Sequence, residues 1–174
     1  MYSHLLGSYR FLIACRVALP NNIITEIQTL PPETIELGLG CHGEPGLRQI
    51  SPVPSPEALT KEMIKLLTDT SDPDRGFIPF PQNDKSEAVL LVNSSGSTSD
   101  EVLARFAELA IEELESQRVI VRRLTLGPMV TSLKQSGFGF TVWRLPGMEE
   151  NSVLRRDEAL EYWDRKVETA AWRQ

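Results

Sequence analysis

The chain has 174 residues, 41% hydrophobic and 24% charged, which suits one globular domain with a real core. Its formal net charge of −6 at pH 7 disfavours non-specific binding to nucleic acid or to anionic lipid. Its two cysteines, Cys15 and Cys41, match neither a zinc-site spacing nor Cys-x-x-Cys and cannot build a disulfide framework, so a reducing compartment is expected.

Leu5 to Leu19 is fairly apolar, but Arg10 and Arg16 interrupt it, making it too short and too charged for a membrane span. No signal peptide with a small-residue cleavage site is visible, so the expected location is cytoplasmic. Tyr9 to Leu19 reads as a strand followed by a Pro20-Asn21-Asn22 turn, and Pro31-Pro32 breaks the chain again. Thr34 to Leu39 alternates as a strand and delivers His42 to a loop. Ser51 to Ser55, with two prolines, is a connector. A helix follows, with Ser55 as N-cap, Pro56 at its first position, and Leu59, Met63, Leu66 and Leu67 on one face. Thr70 to Lys85 reads as a long loop.

Glu87 to Val92 is a compact apolar run, expected as a buried strand, and Asn93 to Ser99 is a small polar loop. A second helix starts near Ser99, with Leu103, Phe106, Ala107, Ala110 and Leu114 inward and Glu108, Glu112 and Glu115 outward. Val119 to Leu126 reads as a strand ended by Gly127-Pro128. Thr131 to Ser136 is expected as a short helical turn closed by Gly137, then Phe138 to Leu145 as a strand. Arg155 to Val167 is a charged helix carrying Leu160 and Trp163. Trp143, Trp163 and Trp172 read as packing residues. The chain contains no internal repeat, and the element order indicates an α/β or α+β layer fold.

The candidate chemistry lies in Glu36-Leu37-Gly38-Leu39-Gly40-Cys41-His42-Gly43-Glu44-Pro45-Gly46. Glycines around one histidine let a small molecule approach without obstruction. His42 reads either as a solvated turn residue or as a nucleophile or base. A metal role is disfavoured because no second histidine or suitably spaced cysteine joins it. Cys41 and His42 are adjacent, so their side chains diverge and a nucleophile–base pair is disfavoured; Cys41 reads as a small buried residue. Glu44 is either a partner for the imidazole or a turn-exposed acid. The Asn93–Ser99 loop is either a polar connector with a helix cap or a weak anion site without P-loop spacing. Thr131-Ser132-Leu133-Lys134 lacks Ser-x-x-Lys spacing and is assigned to structure.

The Glu36–Gly46 stretch closely resembles a signature of the dihydroxyacetone (glycerone) kinases, in their substrate-binding K domain. The resemblance continues in order. Asn93-Ser-Ser-Gly-Ser-Thr-Ser99 is similar to the family's Asn-Asn-Leu-Gly-Gly-Thr-Ser. Gly127 to Phe138 is similar to its Thr-Ser-Leu-Asp-x-x-Gly-Phe segment, and Val167 to Trp172 to the domain's close. Ser94, Ser95 and Ser97 replace the family's Asn, Leu and Gly, and Lys134 replaces its Asp, reversing a charge.

The resemblance implies a two-layer α/β (α+β) unit with a mixed β-sheet and helices mainly on one face. It implies an irregular start over residues 1–12 and a partial K domain over 13–174, the second subdomain only. His42 matches the histidine that forms a covalent hemiaminal with the substrate carbonyl, with Gly40, Gly43 and Glu44 beside it as substrate-binding residues. The implied ligand is dihydroxyacetone or a similar short ketose. ATP and Mg belong, by the resemblance, to a separate nucleotide-binding L domain, so no cofactor is expected in this chain. The base-bearing first subdomain is also expected elsewhere, on a complete kinase or with an L-domain partner. The chain is therefore expected to be a glycerone kinase K-domain protein, incomplete alone. The alternatives are a noncatalytic regulatory module derived from the kinase, or a truncated relic.

Overall fold

A computed structural model describes residues 12–18, 30–31, 33–39, 45–73, 76, 78–80, 85–131, 136–147 and 153–166. They form β1 (Leu12–Ala18), β2 (Ile35–Leu37), β3 (Arg48–Ile50), α1 (Pro56–Thr68), β4 (Ser86–Ser94), α2 (Asp100–Ser116), β5 (Val119–Gly127), β6 (Gly137–Arg144) and α3 (Arg156–Asp164). The strands make one mixed sheet in the order β3-β2-β1-β6-β4-β5. Only β4 and β5 run parallel; every other neighbouring pair is antiparallel. Parallel neighbours need a crossover, and α2 supplies it.

Both long helices start where the sequence says they should. The Ser55 hydroxyl accepts the Ala58 N–H ahead of Pro56, and the Ser99 hydroxyl accepts the Val102 N–H ahead of Asp100 and Glu101. These caps satisfy amides that a helix start leaves free, and the acidic first turn of α2 complements its dipole. The helices lay their apolar faces on the same side of the sheet. Alternation sends Ala88, Leu90 and Val92 of β4 and Phe138, Phe140 and Val142 of β6 to that side, where they meet Met63, Ile64, Leu103, Phe106 and Leu114. The Phe138 ring lies 4.1 Å from that of Phe106 and 5.5 Å from that of Phe140. Burying each large side chain here stabilises the fold by about 1.5–3 kcal/mol.

The third helix, α3, covers part of the opposite face. Val89, Leu145 and Ala159 form a second buried cluster, joined by Trp143, Leu154, Leu160 and Trp163. The Trp143 and Trp163 rings lie 5.9 Å apart, so both act as packing residues. Arg123 of β5 pairs with Asp164 of α3 at 2.6 Å, and Glu87 of β4 takes Arg156 of α3 at 3.3 Å together with Arg122.

Several elements differ from their sequence reading. Strand β3 was not expected: Arg48-Gln49-Ile50 has no apolar period, and it pairs only as the return arm of a hairpin with β2. Strand β4 runs on through Asn93 and Ser94, both buried, where a loop was expected. The described part of 70–85 holds no helix or strand, as expected, yet Ile78 and Phe80 are buried in the core. The expected turn at 131–136 falls largely on 132–135, outside the described residues, as does Trp172.

Candidate functional site

His42, Gly40, Gly43, Glu44 and Cys41 lie outside the described residues, but both ends of their loop are described. Strand β2 ends at Leu37 opposite Arg48 of β3. Beyond that pair the Leu47 N–H donates to the Leu37 carbonyl at 2.7 Å, and the Gly46 N–H donates to Glu36 Oε1 at 2.8 Å. Gly38 leaves the strand at φ +82°, a conformation that glycine adopts readily. A Cβ on Gly38 would come within 2.6 Å of Leu47 Cγ. On Gly46 it would lie 2.6 Å from Glu36 Cγ and 2.7 Å from the Leu37 carbonyl oxygen. Gly46 is therefore constrained by its packing against the Leu37 backbone, and Gly38 by its positive φ and its contact with the Leu47 side chain.

The second and third motifs meet directly. The Asn93 Oδ1 accepts N–H groups from Met129 at 2.8 Å and Val130 at 2.6 Å, and its Nδ2 donates to the Val130 carbonyl at 2.8 Å. The Thr98 hydroxyl donates to the Gly137 carbonyl at 2.7 Å, and the Ser95 N–H donates to that same carbonyl at 2.9 Å. The Ser94 hydroxyl donates to the Thr98 carbonyl and accepts the Gly96 N–H, each at 3.1 Å, and the Ser97 and Ser136 hydroxyls lie 3.0 Å apart. Ser99 caps α2 as anticipated. The connector reading of this loop thus has an extensive bonding pattern behind it. Asn93, read from sequence as a loop residue, is instead a clamp at the end of a strand.

Strand register brings these pieces to one end of the sheet. Glu36 stands opposite Ala18, which stands opposite Gly137, so the base of the histidine loop lies two strand spacings, about 10 Å, from the stitched Gly137 carbonyl. Ile35 and Leu37 turn to the core, which puts Glu36 on the other face. A cluster of charged side chains lies at the opposite end of β4. There the Arg122 guanidinium, aided by Arg156, holds the Glu87 carboxyl below its ordinary range. Among the described residues no group of three His, Cys, Asp or Glu side chains could hold a metal ion, and no helix is long and apolar enough to cross a membrane.

Sequence reasoning missed Glu36 and undervalued Asn93. A charged residue between Ile35 and Leu37 reads simply as an outward strand position. Its role depends on Gly46, ten positions away.

Comparison with known proteins places this arrangement. The family model described as the Dak1 domain matches residues 14–171. The chain belongs to the Dak1 domain family. A dihydroxyacetone kinase of Komagataella pastoris is 31% identical over 146 residues, a match covering 83% of this chain and 23% of the relative. A dihydroxyacetone kinase of Pichia angusta is 32% identical, covering 82% of this chain and 24% of the relative. This Dak1 chain thus spans about a quarter of the length of the curated relatives it matches. Its fold matches a solved structure concerned with regulation of the dha operon of Lactococcus lactis, with a TM-score of 0.66 at 24% identity, covering 92% of this chain and 41% of that one.

Proposed function

We propose that this Dak1 chain is the second subdomain of a dihydroxyacetone kinase K domain, and that His42 binds dihydroxyacetone, or a similar short ketose, covalently. The observation that carries the reading is the base of the histidine loop, where Gly38 turns at φ +82° and Gly46 packs against the Leu37 carbonyl. Membership of the Dak1 family and the kinase names of the matched relatives support it.

The chemistry follows from the residue types. An imidazole nitrogen without a proton donates its lone pair to the ketone carbon, forming a C–N bond as the carbonyl π bond breaks. The carbonyl oxygen becomes a hydroxyl by taking a proton, while the other ring nitrogen gives one up, so the adduct keeps every atom of both reactants. Glycerol, having no carbonyl, is excluded. In this reading Gly40 and Gly43, lacking side chains, do not obstruct the ketose, Glu44 is assigned to substrate binding by the family resemblance, and the fixed adduct holds its terminal hydroxyl for phosphoryl transfer. By the resemblance to the kinase family, ATP, its metal and the general base are assigned to a complete kinase or L-domain partner in the cytoplasm.

Intact-mass spectrometry under mild conditions tests the anchor. Wild-type protein with dihydroxyacetone is expected to gain the mass of one ketose without loss of water. His42→Ala with dihydroxyacetone, and wild type with glycerol, are expected to gain nothing. A folded wild type that forms no adduct would overturn the reading. It would favour a noncatalytic module derived from the kinase, in keeping with the Ser94 and Thr98 hydroxyls being committed to internal bonds.

A further inference from the structure

Glu36 has a feature that the ketose reading does not use. On its face of a three-residue strand a glutamate would ordinarily extend into water. Instead its carboxylate accepts the Gly46 N–H at 2.8 Å, and its Cγ lies 2.6 Å from where a Gly46 Cβ would stand. The next amide, Leu47, donates to the carbonyl of the next strand residue, Leu37. Two successive amides at the loop's exit are thus held by two successive residues of β2, one through a side chain and one through the backbone. A bond to an ionised acceptor is the stronger kind. His42 stands four residues from Gly38 and four from Gly46, at the middle of the segment these contacts close.

We infer that Glu36 is a positioning residue, whose carboxylate fixes the exit end of the His42 loop and thereby sets the imidazole for attack on a carbonyl. The inference rests on the reading of His42 as the carbonyl-binding residue. Covalent addition requires the reacting atoms in a near-attack geometry, and a displaced loop end loses it without touching either reactant. Sequence patterning gives Glu36 no such role, since the bond spans ten residues.

Two variants separate acceptance of the Gly46 N–H from packing of the side-chain stem. Glu36→Met keeps the stem and has no comparable acceptor, while Glu36→Gln keeps an acceptor oxygen. The adduct equilibrium with dihydroxyacetone is expected to weaken about tenfold in Glu36→Met and to return to within about threefold of wild type in Glu36→Gln. The His42 ring resonance, assigned with His42→Ala against the only other histidine, His4, is expected to shift in Glu36→Met and recover in Glu36→Gln. If wild type forms no adduct, the carbonyl reading fails, and the same ring shift and recovery would still support the positioning of the loop. An unchanged ring resonance in a folded Glu36→Met, or a Glu36→Gln that behaves like Glu36→Met, would overturn the inference. Should Glu36→Met fail to fold, amide exchange in the wild type decides: a protected Gly46 N–H supports the bond, and an unprotected one refutes it.

Discussion

The Asn93–Thr98 loop and the Gly38–Gly46 loop stand at the same end of the sheet but are fastened differently. Asn93 and Thr98 reach residues 36 to 39 positions away, binding the end of β4 to the exit of β5 and the entry of β6. The described fastenings of the histidine loop join its two arms to each other, Gly46 to Glu36 and Leu47 to Leu37. Long-range bonds of the first kind are gained only when the whole sheet assembles, so they belong to global stability. Bonds between the arms of a single hairpin set the shape of that hairpin and contribute less to the rest of the molecule.

That contrast sets the size and the reach of mutational effects. Asn93→Ala removes three hydrogen bonds at a buried position and strands the Met129 and Val130 amides. It is expected to cost about 2–4 kcal/mol of global stability, read as a lower urea midpoint at an unchanged slope. A loss below about 0.5 kcal/mol would show that the clamp is not an essential fastening. Gly46→Ala comes next. Its Cβ would lie 2.7 Å from the Leu37 carbonyl oxygen, a backbone atom that cannot turn aside as a side chain can. The expected cost is about 1–2 kcal/mol, accompanied by faster exchange of the Leu47 amide, whose bond to Leu37 must yield. If Gly46→Ala destabilised the molecule as much as Asn93→Ala, the histidine loop would be part of the global scaffold and the contrast would fail.

The two fastenings also differ in how far the sequence announces them. Polar residues at Asn93 to Ser99, between an apolar run and an amphipathic helix, mark a junction and its Ser99 cap, because local chemistry determines both. The partners of Asn93 are invisible from there, since they depend on β5 ending beside β4, a consequence of parallel pairing. The glycines around His42 stand out for the opposite reason: such a cluster disfavours a strand and implies close approach. Glu36 does not stand out, because alternation alone accounts for it. Strand β3 was hidden as well, its three residues carrying no period of their own and owing their place to β2. The helix faces and the central strands were legible because burial imposes the 3.6- and two-residue periods directly.

A third fastening, at the other end of β4, depends on charge. Arg122 and Arg156 hold the Glu87 carboxyl below its ordinary value near 4.5, and Arg123 holds the Asp164 carboxyl below its ordinary value near 3.8. A carboxyl whose pKa is lowered on folding stabilises the fold fully above its unfolded value and loses that contribution as pH falls through the folded one. Acidification below about pH 4.5 should therefore loosen α3 first, as the partly buried Glu87 takes up a proton and releases Arg156. Trp143 and Trp163, packed together on that face, report the change by fluorescence. Glu87→Gln removes the titrating group, so its tryptophan signal should vary less between pH 7 and pH 3 than that of the wild type. An equally steep profile in the variant would assign the acid response to other carboxylates. An early change at the tryptophans, with the Asn93 junction still protected from amide exchange, would show that α3 and the stitched loop unfasten independently, one by charge and the other by hydrogen bonds that no proton removes.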